Sequence, residues 1–290
     1  MVVDSSSIEV NRRRRRAKSD RLDASKLVSM LLRYHGGETK VWSVVKVPSV
    51  ADEDGRRLHR ELQRLKDERT GHINRIKGLL ASQGVALNTV NATFSERLPT
   101  MRLWDNTALG ADLRAELLRE FERWQLLDRH IKAVEQERRQ RVRSDDTPQV
   151  DQVRQLLKLS GVGFNGAWML VRELFGWRRI KNRKQLGALV GLTPTPYQSG
   201  SSAKEQGISK AGNRHLRQMM VELAWCWVRW QPESELSQWF DARFGAGGGR
   251  RSRKIGIVAL ARKLLIALWR YLEHGEIPKG ARLKVRCQVA

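Results

Sequence analysis

Apolar side chains recur every three to four residues along most of this sequence, which predicts a mainly helical fold. Two long runs of the pattern, residues 54–80 and 111–143, carry many charges between their apolar positions. They predict an antiparallel helical hairpin or coiled coil, and the pattern fits packing within one chain as well as packing between two copies. Shorter runs predict a helix from about residue 20, several helices after residue 144 and a last helix over residues 255–272.

Pro48 and the segment 144–148 interrupt this pattern and divide the chain into three predicted regions. Residues 1–49 open with a short strand-like stretch and a helix, residues 50–143 form the coiled-coil region, and residues 144–290 form an α-helical globular domain. Ten tryptophans occur in 290 residues, and the helical phase of those after residue 220 with leucine and methionine places most of them in the core.

A helix, a Gly-Val-Gly turn and a second helix follow each other around residues 150–174. This order is typical of a helix–hairpin–helix element, in which the exposed amides of Gly161 and Gly163 bind a DNA phosphate without reading sequence. A tight turn between helices that binds nothing is the alternative.

Residues 191–202 hold two prolines, two glycines and several hydroxyl side chains, which disfavour a regular helix and predict an exposed loop. A helix capped by Ser209 is predicted after it, with Lys210, Arg214 and Arg217 near its positive end. A hydroxyl beside a phosphate held by such a helix suits attack on a phosphodiester. Ser-Gly-Ser-Ser also occurs in flexible linkers, so a linker is the competing interpretation.

Charge indicates the partner class. Lysine and arginine number 55 against 31 aspartates and glutamates, a net charge of +24, which favours nucleic acid. The basic run Arg12, Arg13, Arg14, Arg15 and Arg16 is either a nucleic-acid contact or a solvated arm. Two distant cysteines indicate neither a disulfide framework nor a zinc site, and no signal peptide or long apolar run is found. We therefore expect a soluble cytoplasmic protein associated with the nucleoid.

Residues 185–194, 197–202, 208–213 and 216–217 together closely resemble the serine domain of IS110-type transposases. These insertion-sequence recombinases are guided by a structured bridge RNA. The resemblance implies that Ser199 is the nucleophile, that DNA is cut and rejoined through a phosphoserine link, and that the coiled coil assembles a dimer or tetramer. A non-catalytic helix–hairpin–helix nucleic-acid-binding protein is the alternative.

Asp20 and Asp23 are three residues apart and share one face of the first predicted helix, a spacing that also suits the helix dipole alone. Residues 18–24 resemble the motif that carries the last two of four acids in the family's RuvC-like Mg²⁺ site. Residues 1–49 are then the C-terminal remnant of a RuvC/RNase H-like α/β domain. The first two acids have no counterpart, so the sequence leads us to expect an N-terminally truncated chain that binds nucleic acid but recombines it weakly or not at all.

Overall fold

The computed structural model describes residues 1–9, 19–199, 202–245, 247 and 249–284, without the side chains of residues 198, 199 and 202–206. The described chain is mainly helical, as predicted. Its α-helices are α1 (Asp20–His35), α2 (Val50–Asp54), α3 (Arg57–Ala81), α4 (Phe94–Arg97), α5 (Ala111–Ser144), α6 (Pro148–Leu157), α7 (Phe164–Leu170), α8 (Arg183–Val190), α9 (Arg214–Trp230), α10 (Glu235–Phe244) and α11 (Arg250–His274).

A π-helical segment, Val171–Phe175, follows α7, and strands β1 (Pro194–Ser199) and β2 (Ser202–Ile208) form an antiparallel ribbon. Short 3₁₀ turns occupy Ser5–Ser7 and Leu98–Thr100. Among the described helices, none is both long enough and apolar enough to pass through a lipid bilayer.

The chain divides into two compact units, residues 1–53 and 54–290. The first unit contains α1 and a small core of Met30, Val41 and Trp42. Instead of the strand expected near the start, its described residues contain a single antiparallel bridge between Val3 and Val44. Assignment of this unit to a RuvC-like domain stays a prediction, as does the boundary after residue 143.

Helices α3 and α5 pack against each other and form the helical hairpin. Their apolar stripes meet within the chain in a seam made of Leu62, Leu65, Leu127, Ile131 and Val134. The far end of the hairpin is filled by Phe94, Leu98 and Leu109 from the connector. Ion pairs link the two helices beside the seam, with Lys66 to Glu135 and Arg69 to Asp128 both at 2.7 Å.

Helices α6 to α11 and the π-helical segment surround one continuous apolar core. Trp168 of α7 and Trp227 of α9 are fully buried there, and Leu260, Leu264 and Leu268 line the inner face of α11. Their spacing of four residues puts them on one side of the helix, as the sequence pattern predicts. This core supports the ends of α8 and α9, between which the ribbon begins.

Candidate nucleic-acid interface

The stretch predicted as an exposed loop is regular in its backbone: β1 pairs with β2 from Pro194 with Ile208 to Ser199 with Ser202. The loop prediction was therefore wrong. Prolines usually argue against a strand, but both strands of a two-stranded ribbon have an open edge that needs no N–H donor. The register is irregular between Pro194 and Pro196, and this bulge accommodates the second proline.

The base of the ribbon is interlocked with the helices on either side. Gly191 ends α8 in the left-handed conformation, and a Cβ there would lie 1.9 Å from the carbonyl oxygen of Ala211. Gly212 is also left-handed, and its Cβ would lie 2.4 Å from the carbonyl oxygen of Leu189. Only glycine permits both the backbone angle and this close approach. The two glycines therefore fix where the ribbon leaves the core.

Lys210 lies in this base with a positive φ of 55°, which is uncommon for a residue with a side chain. Its N–H donates to the carbonyl oxygen of Gly191 at 3.3 Å. Nη1 of Arg217 donates to the carbonyl oxygens of Val190 and Lys210, at 3.3 and 2.9 Å. Arg217 is thus half-buried and holds the turn together, while the Lys210 side chain is exposed to solvent.

The cap of helix α9 lies four residues later than the predicted cap at Ser209. Its cap is Asn213, whose Oδ1 accepts hydrogen bonds from the N–H groups of His215 and Leu216. Asparagine is among the best N-cap residues, and the turn at Lys210 and Gly212 prevents an earlier start. Because Asn213 occupies two first-turn donors, the exposed Arg214 and the helix dipole remain as the means of attracting an anion.

A groove of about 580 Å³ runs along the outer face of α9 beside this base. Lys210, Arg214 and Arg217 line it together with Trp225, which is 40% exposed. The prediction that most of these tryptophans are buried was wrong for Trp225 and for Trp230, which is 59% exposed. The Trp225 ring stands edge-on to Phe240 while one side stays in solvent. Cations beside an exposed aromatic ring are the side chains that bind a phosphate backbone and stack on bases.

The backbone of Ser199 is the last described position of β1, opposite Ser202. Its side chain, and residues 200 and 201, lie outside the described residues. At about 3.4 Å per residue, the six-residue strand from Pro194 to Ser199 spans roughly 17 Å. Ser199 and the cations at the base are therefore at opposite ends of the ribbon. They can contact different phosphates of one strand, but not the same phosphate in this conformation.

The Gly161–Gly163 turn connects α6 and α7, as the helix–hairpin–helix pattern predicts. Gly161 is left-handed and packs against α9, where a Cβ would meet the Cys226 carbonyl oxygen at 3.3 Å. The carbonyl oxygens of Ser160 and Val162 accept hydrogen bonds from Gln231 and Lys284. Gly163 is exposed. Phosphate binding by this turn stays a prediction.

Asp20 and Asp23 are both exposed in the first turn of α1. Carboxylate oxygens suit Mg²⁺. However, no group of three or more histidine, cysteine, aspartate or glutamate side chains able to hold a metal occurs in the part of the chain that the structure describes. Two carboxylates do not make a complete site, so we derive no step through a metal. Arg12 to Arg16 lie outside the described residues.

Several buried charged side chains in and near the hairpin were missed by the sequence interpretation, and two of them, Glu173 and Arg138, lie close to the site. Glu173, 6% exposed, accepts hydrogen bonds from Arg60 Nε at 2.7 Å and from His59 Nε2 at 2.8 Å, with Arg56 at 3.4 Å. Burial alone would raise its pKa, but the bonds from His59 and Arg60 outweigh burial and lower the pKa to about 2. Burial lowers the pKa of His59, so its imidazole is neutral.

Arg138 of α5 is the second, and only 2% of it is exposed. Its guanidinium lies over the rings of Phe164 and Trp168, about 5 Å from each centroid, and Nη1 donates to Asn165 Oδ1 at 3.0 Å. Both residues could have been found from the sequence, because each is a charged residue at a helix position whose spacing places it among buried apolar residues. Arg138 is seven residues after Ile131 and four after Val134, and Glu173 lies between the buried residues Val171 and Leu174.

Comparison with known proteins places this geometry in a family. The family model described as "Transposase IS116/IS110/IS902 family" matches residues 153–237, from α6 through the ribbon and α9 into α10. The chain is 44% identical over 291 residues to the y4rJ protein of Sinorhizobium fredii, an alignment that covers 98% of the chain and 73% of that relative.

Two more distant relatives are transposases by name. The transposase for insertion sequence element IS1328 of Yersinia enterocolitica is 27% identical over 76% of the chain and 63% of its own length. The transposase for IS1111A of Coxiella burnetii is 26% identical over 89% of the chain and 68% of its own length. The extended similarity to y4rJ, together with the family model over the ribbon and α9, shows that the chain belongs to the IS116/IS110/IS902 family of transposases.

Proposed function

We propose that this protein cuts and rejoins DNA through a phosphoserine intermediate in which Ser199 is the nucleophile. One observation carries the proposal: within the region that matches the transposase family, the Ser199 backbone ends a ribbon that rises from a base rich in exposed cations. A serine at the end of a ribbon can approach a phosphodiester of a strand whose neighbouring phosphates are held at the base.

The reaction conserves phosphoester bonds. Ser199 Oγ forms a bond to the DNA phosphorus, the bond from phosphorus to one deoxyribose oxygen breaks, and that oxygen leaves as a free hydroxyl after taking up a proton. A hydroxyl from another DNA end then attacks the phosphoserine, forms a new phosphodiester and returns the proton to Ser199. We assign no side chain as general base, because the Ser199 side chain lies outside the described residues.

Positioning and charge stabilisation supply most of the catalysis in phosphoryl transfer. In this proposal Lys210 and Arg214 hold the strand beside the ribbon, and Trp225 stacks on a base or sugar. Arg217 keeps the ribbon at a fixed angle through its bonds to Val190 and Lys210. In this arrangement the strand is bound at the base of the ribbon, and the reaction takes place at the other end of the ribbon, at Ser199.

Further partners are proposed from the family resemblance. Asp20 and Asp23 would supply part of a Mg²⁺ site, with additional ligands required. A structured guide RNA would select the target, consistent with a net charge of +24. Assembly into a dimer or tetramer through the helical hairpin is likewise proposed.

The test is a suicide DNA substrate, nicked so that the released strand diffuses away and the covalent intermediate accumulates. The protein is incubated with the substrate, Mg²⁺ and guide RNA, and adducts are separated on a denaturing gel. We expect a shifted protein–DNA band in the wild type and none in Ser199→Ala. Because the adduct is trapped, slow chemistry still gives a visible product.

Ser202→Ala is the matched control, since it removes a hydroxyl from the paired position on β2 and should keep the adduct. DNA binding is measured for all three proteins by fluorescence anisotropy. An adduct that persists in Ser199→Ala would contradict the assignment of the nucleophile. Tight DNA binding with no adduct in any variant would favour the non-catalytic binding protein.

A further inference from the structure

Among the residues that the structure describes, Arg138 is a buried cation that forms no ion pair. Its Nε has no hydrogen-bond partner in the structure as described, and its one assigned acceptor is the neutral amide oxygen of Asn165. The Glu135 carboxylate attracts Arg138 but is itself bonded to Lys66 at 2.7 Å. Burial lowers the pKa of Arg138 to about 10, which still leaves it charged at neutral pH. A buried charge in this state costs stability, so its retention calls for a compensating ligand.

Arg138 lines a partly open cavity of about 450 Å³ between α3, α5, α7 and α9. The cavity wall carries hydrogen-bond donors from each of these helices, including Lys66, Asn165, Arg214, His215 and Gln218. Its volume is within the range of pockets that hold a small ligand, and exceeds what a single phosphate group fills. The site therefore has room for a phosphate together with part of a sugar.

Two carboxylates also line the cavity, and both already accept hydrogen bonds. Asp67 accepts from Gln63 at 2.9 Å, and Glu222 accepts from Gln218 at 3.1 Å. Both bonds are to exposed, neutral amides four residues away, so the two acids remain solvated at the rim. Arg138 differs from them because it is buried. The deepest unsatisfied charge in the cavity is therefore positive.

We propose that this cavity binds a phosphate group, with Arg138 as its buried anchor and Arg214 as its exposed partner. An arginine can donate two parallel hydrogen bonds to phosphate oxygens, and the surrounding aromatic rings hold the guanidinium plane fixed. The start of α9 adds the positive end of a 17-residue helix beside Arg214. The same chemistry is offered by a nucleic-acid backbone and by a free nucleotide.

A strand is the favoured source, and this part of the inference rests on the proposed function. The cavity and the groove along α9 share Arg214, Gln218 and Glu222 in their walls, so they adjoin at the N-terminal half of α9. A strand held by Lys210 in the groove can place a neighbouring phosphate in the cavity. The phosphate site would then bind DNA or guide RNA next to the ribbon.

The first experiment measures thermal stability in inorganic phosphate against sodium chloride of equal ionic strength. At a tenfold excess of phosphate over its Kd, we expect the wild-type Tm to rise by about 3 °C. In Arg138→Met the apolar stem is kept and the unpaired charge is removed. We expect this variant to have an equal or higher Tm in chloride and to lose the phosphate-dependent rise.

Arg139→Met is the matched control because it removes the same charge from the next residue, which is exposed on α5. It should keep the phosphate response. Arg214→Gln, a surface substitution that does not threaten folding, should reduce the response by about half or more. A large drop in the chloride Tm of Arg138→Met, with the phosphate response retained in Arg214→Gln, would overturn the proposal and make Arg138 a structural residue.

The second experiment separates the sources of phosphate. Binding of a 5′-mononucleotide and of a labelled oligonucleotide is compared in wild type and Arg138→Met. For a strand site, Arg138→Met should weaken the oligonucleotide about tenfold or more and leave mononucleotide binding weak in both proteins. A mononucleotide effect without an oligonucleotide effect would make the site a nucleotide pocket. Both measurements report binding and do not depend on adduct formation by Ser199. The phosphate-site proposal can therefore be contradicted while the catalytic proposal stands, and the reverse is also possible.

Discussion

Glu173 and Arg138 are both buried charges where the helical hairpin meets the helices that follow it, yet their surroundings are opposite. Glu173 on the π-helical segment is surrounded by His59, Arg56 and Arg60 of the hairpin and its approach. Arg138 on the hairpin contacts two aromatic rings and the amide of Asn165, and it lines a cavity. The Glu173 charge is compensated by cationic side chains of the protein. The Arg138 charge has only a neutral acceptor among the described residues, so an anion from outside the protein would compensate it.

This difference in surroundings indicates that the two buried charges have different roles, one in packing and one in binding. A buried carboxylate with several cationic partners fixes how two elements pack, and losing it leaves those partners uncompensated. A buried cation without a counter-charge opposes folding and favours binding of an anion. We infer that Glu173 joins the hairpin to the core, whereas Arg138 makes that joint a place where phosphate binds.

The largest expected effect is on stability when the Glu173 cluster is broken. Glu173→Gln removes the charge that compensates Arg56, which is itself 6% exposed, so the free energy of unfolding should fall by about 3 kcal/mol or more. Urea unfolding measures the change. Glu137→Gln, which breaks an exposed pair with Arg141, is the control and should change stability by less than about 0.5 kcal/mol. Equal losses of stability in Glu173→Gln and Glu137→Gln would contradict the distinction between the buried cluster and the exposed ion pair.

The same cluster predicts how stability depends on pH. The pKa of Glu173 is about 2 in the fold against 4.5 as a free side chain, so its contribution of about 3 kcal/mol is present above pH 4.5 and is lost as pH falls towards 2. The folded pKa of His59 is below 6.5, so protonation in the unfolded chain starts to reduce stability below about pH 6.5. Urea midpoints from pH 7 to 3 should fall steadily. A loss confined to pH below 3, or a rise on acidification, would contradict this.

The base of the ribbon extends the comparison, because its two helices interlock by close backbone approach at glycines and not by an ion pair. Gly191→Ala introduces a Cβ against Ala211, whereas Gly207→Ala also has a left-handed backbone but meets no described atom within 4 Å. We expect both to lose stability from backbone strain and Gly191→Ala to lose about 2 kcal/mol more. It should also weaken DNA binding, because Lys210 would move. Equal losses in the two variants would show that the interlock contributes nothing.

A smaller effect is expected in the salt dependence of DNA binding. Each neutralised phosphate contributes roughly −0.9 to the slope of log K against log salt on duplex DNA. Lys210→Gln and Arg214→Gln should each reduce the slope by about that amount. Lys132→Gln, which removes a cation already paired with Asp128, should leave it nearly unchanged. The same measurement on Arg12 to Arg16 decides between a contact and a solvated arm.

Much of the helical architecture could be predicted from the sequence because it depends on local periodicity. The spacing of Leu62, Leu65, Leu127 and Ile131 is set by the faces of the two long helices, and the structure buries those faces against each other. The ribbon could not be predicted this way. Pro194 and Pro196 oppose strand formation locally, and what overrides them is the pairing with β2 and the interlocked base.

The site was only partly predictable, because some of its features also depend on contacts between segments that are distant in sequence. Lys210 and Arg214 were identified from their position near the positive end of a predicted helix, and both are exposed at the base. The predicted cap at Ser209 was wrong because the turn at Gly212, which places the cap at Asn213, depends on Leu189, which is distant in sequence. Arg138 is visible as a charge in an apolar phase, but whether it is paired depends on contacts across three helices.

The most direct test of the central claim is to identify the atom that carries the DNA. After trapping the adduct, the DNA is digested with nuclease and the protein with trypsin, which should release residues 185–204 as one peptide containing Ser199, Ser201 and Ser202. Tandem mass spectrometry then locates the residual nucleotide. We predict a phosphoester on Ser199. A nucleotide on Ser201 or Ser202, or an unmodified peptide from a protein that still binds the substrate, would contradict the account.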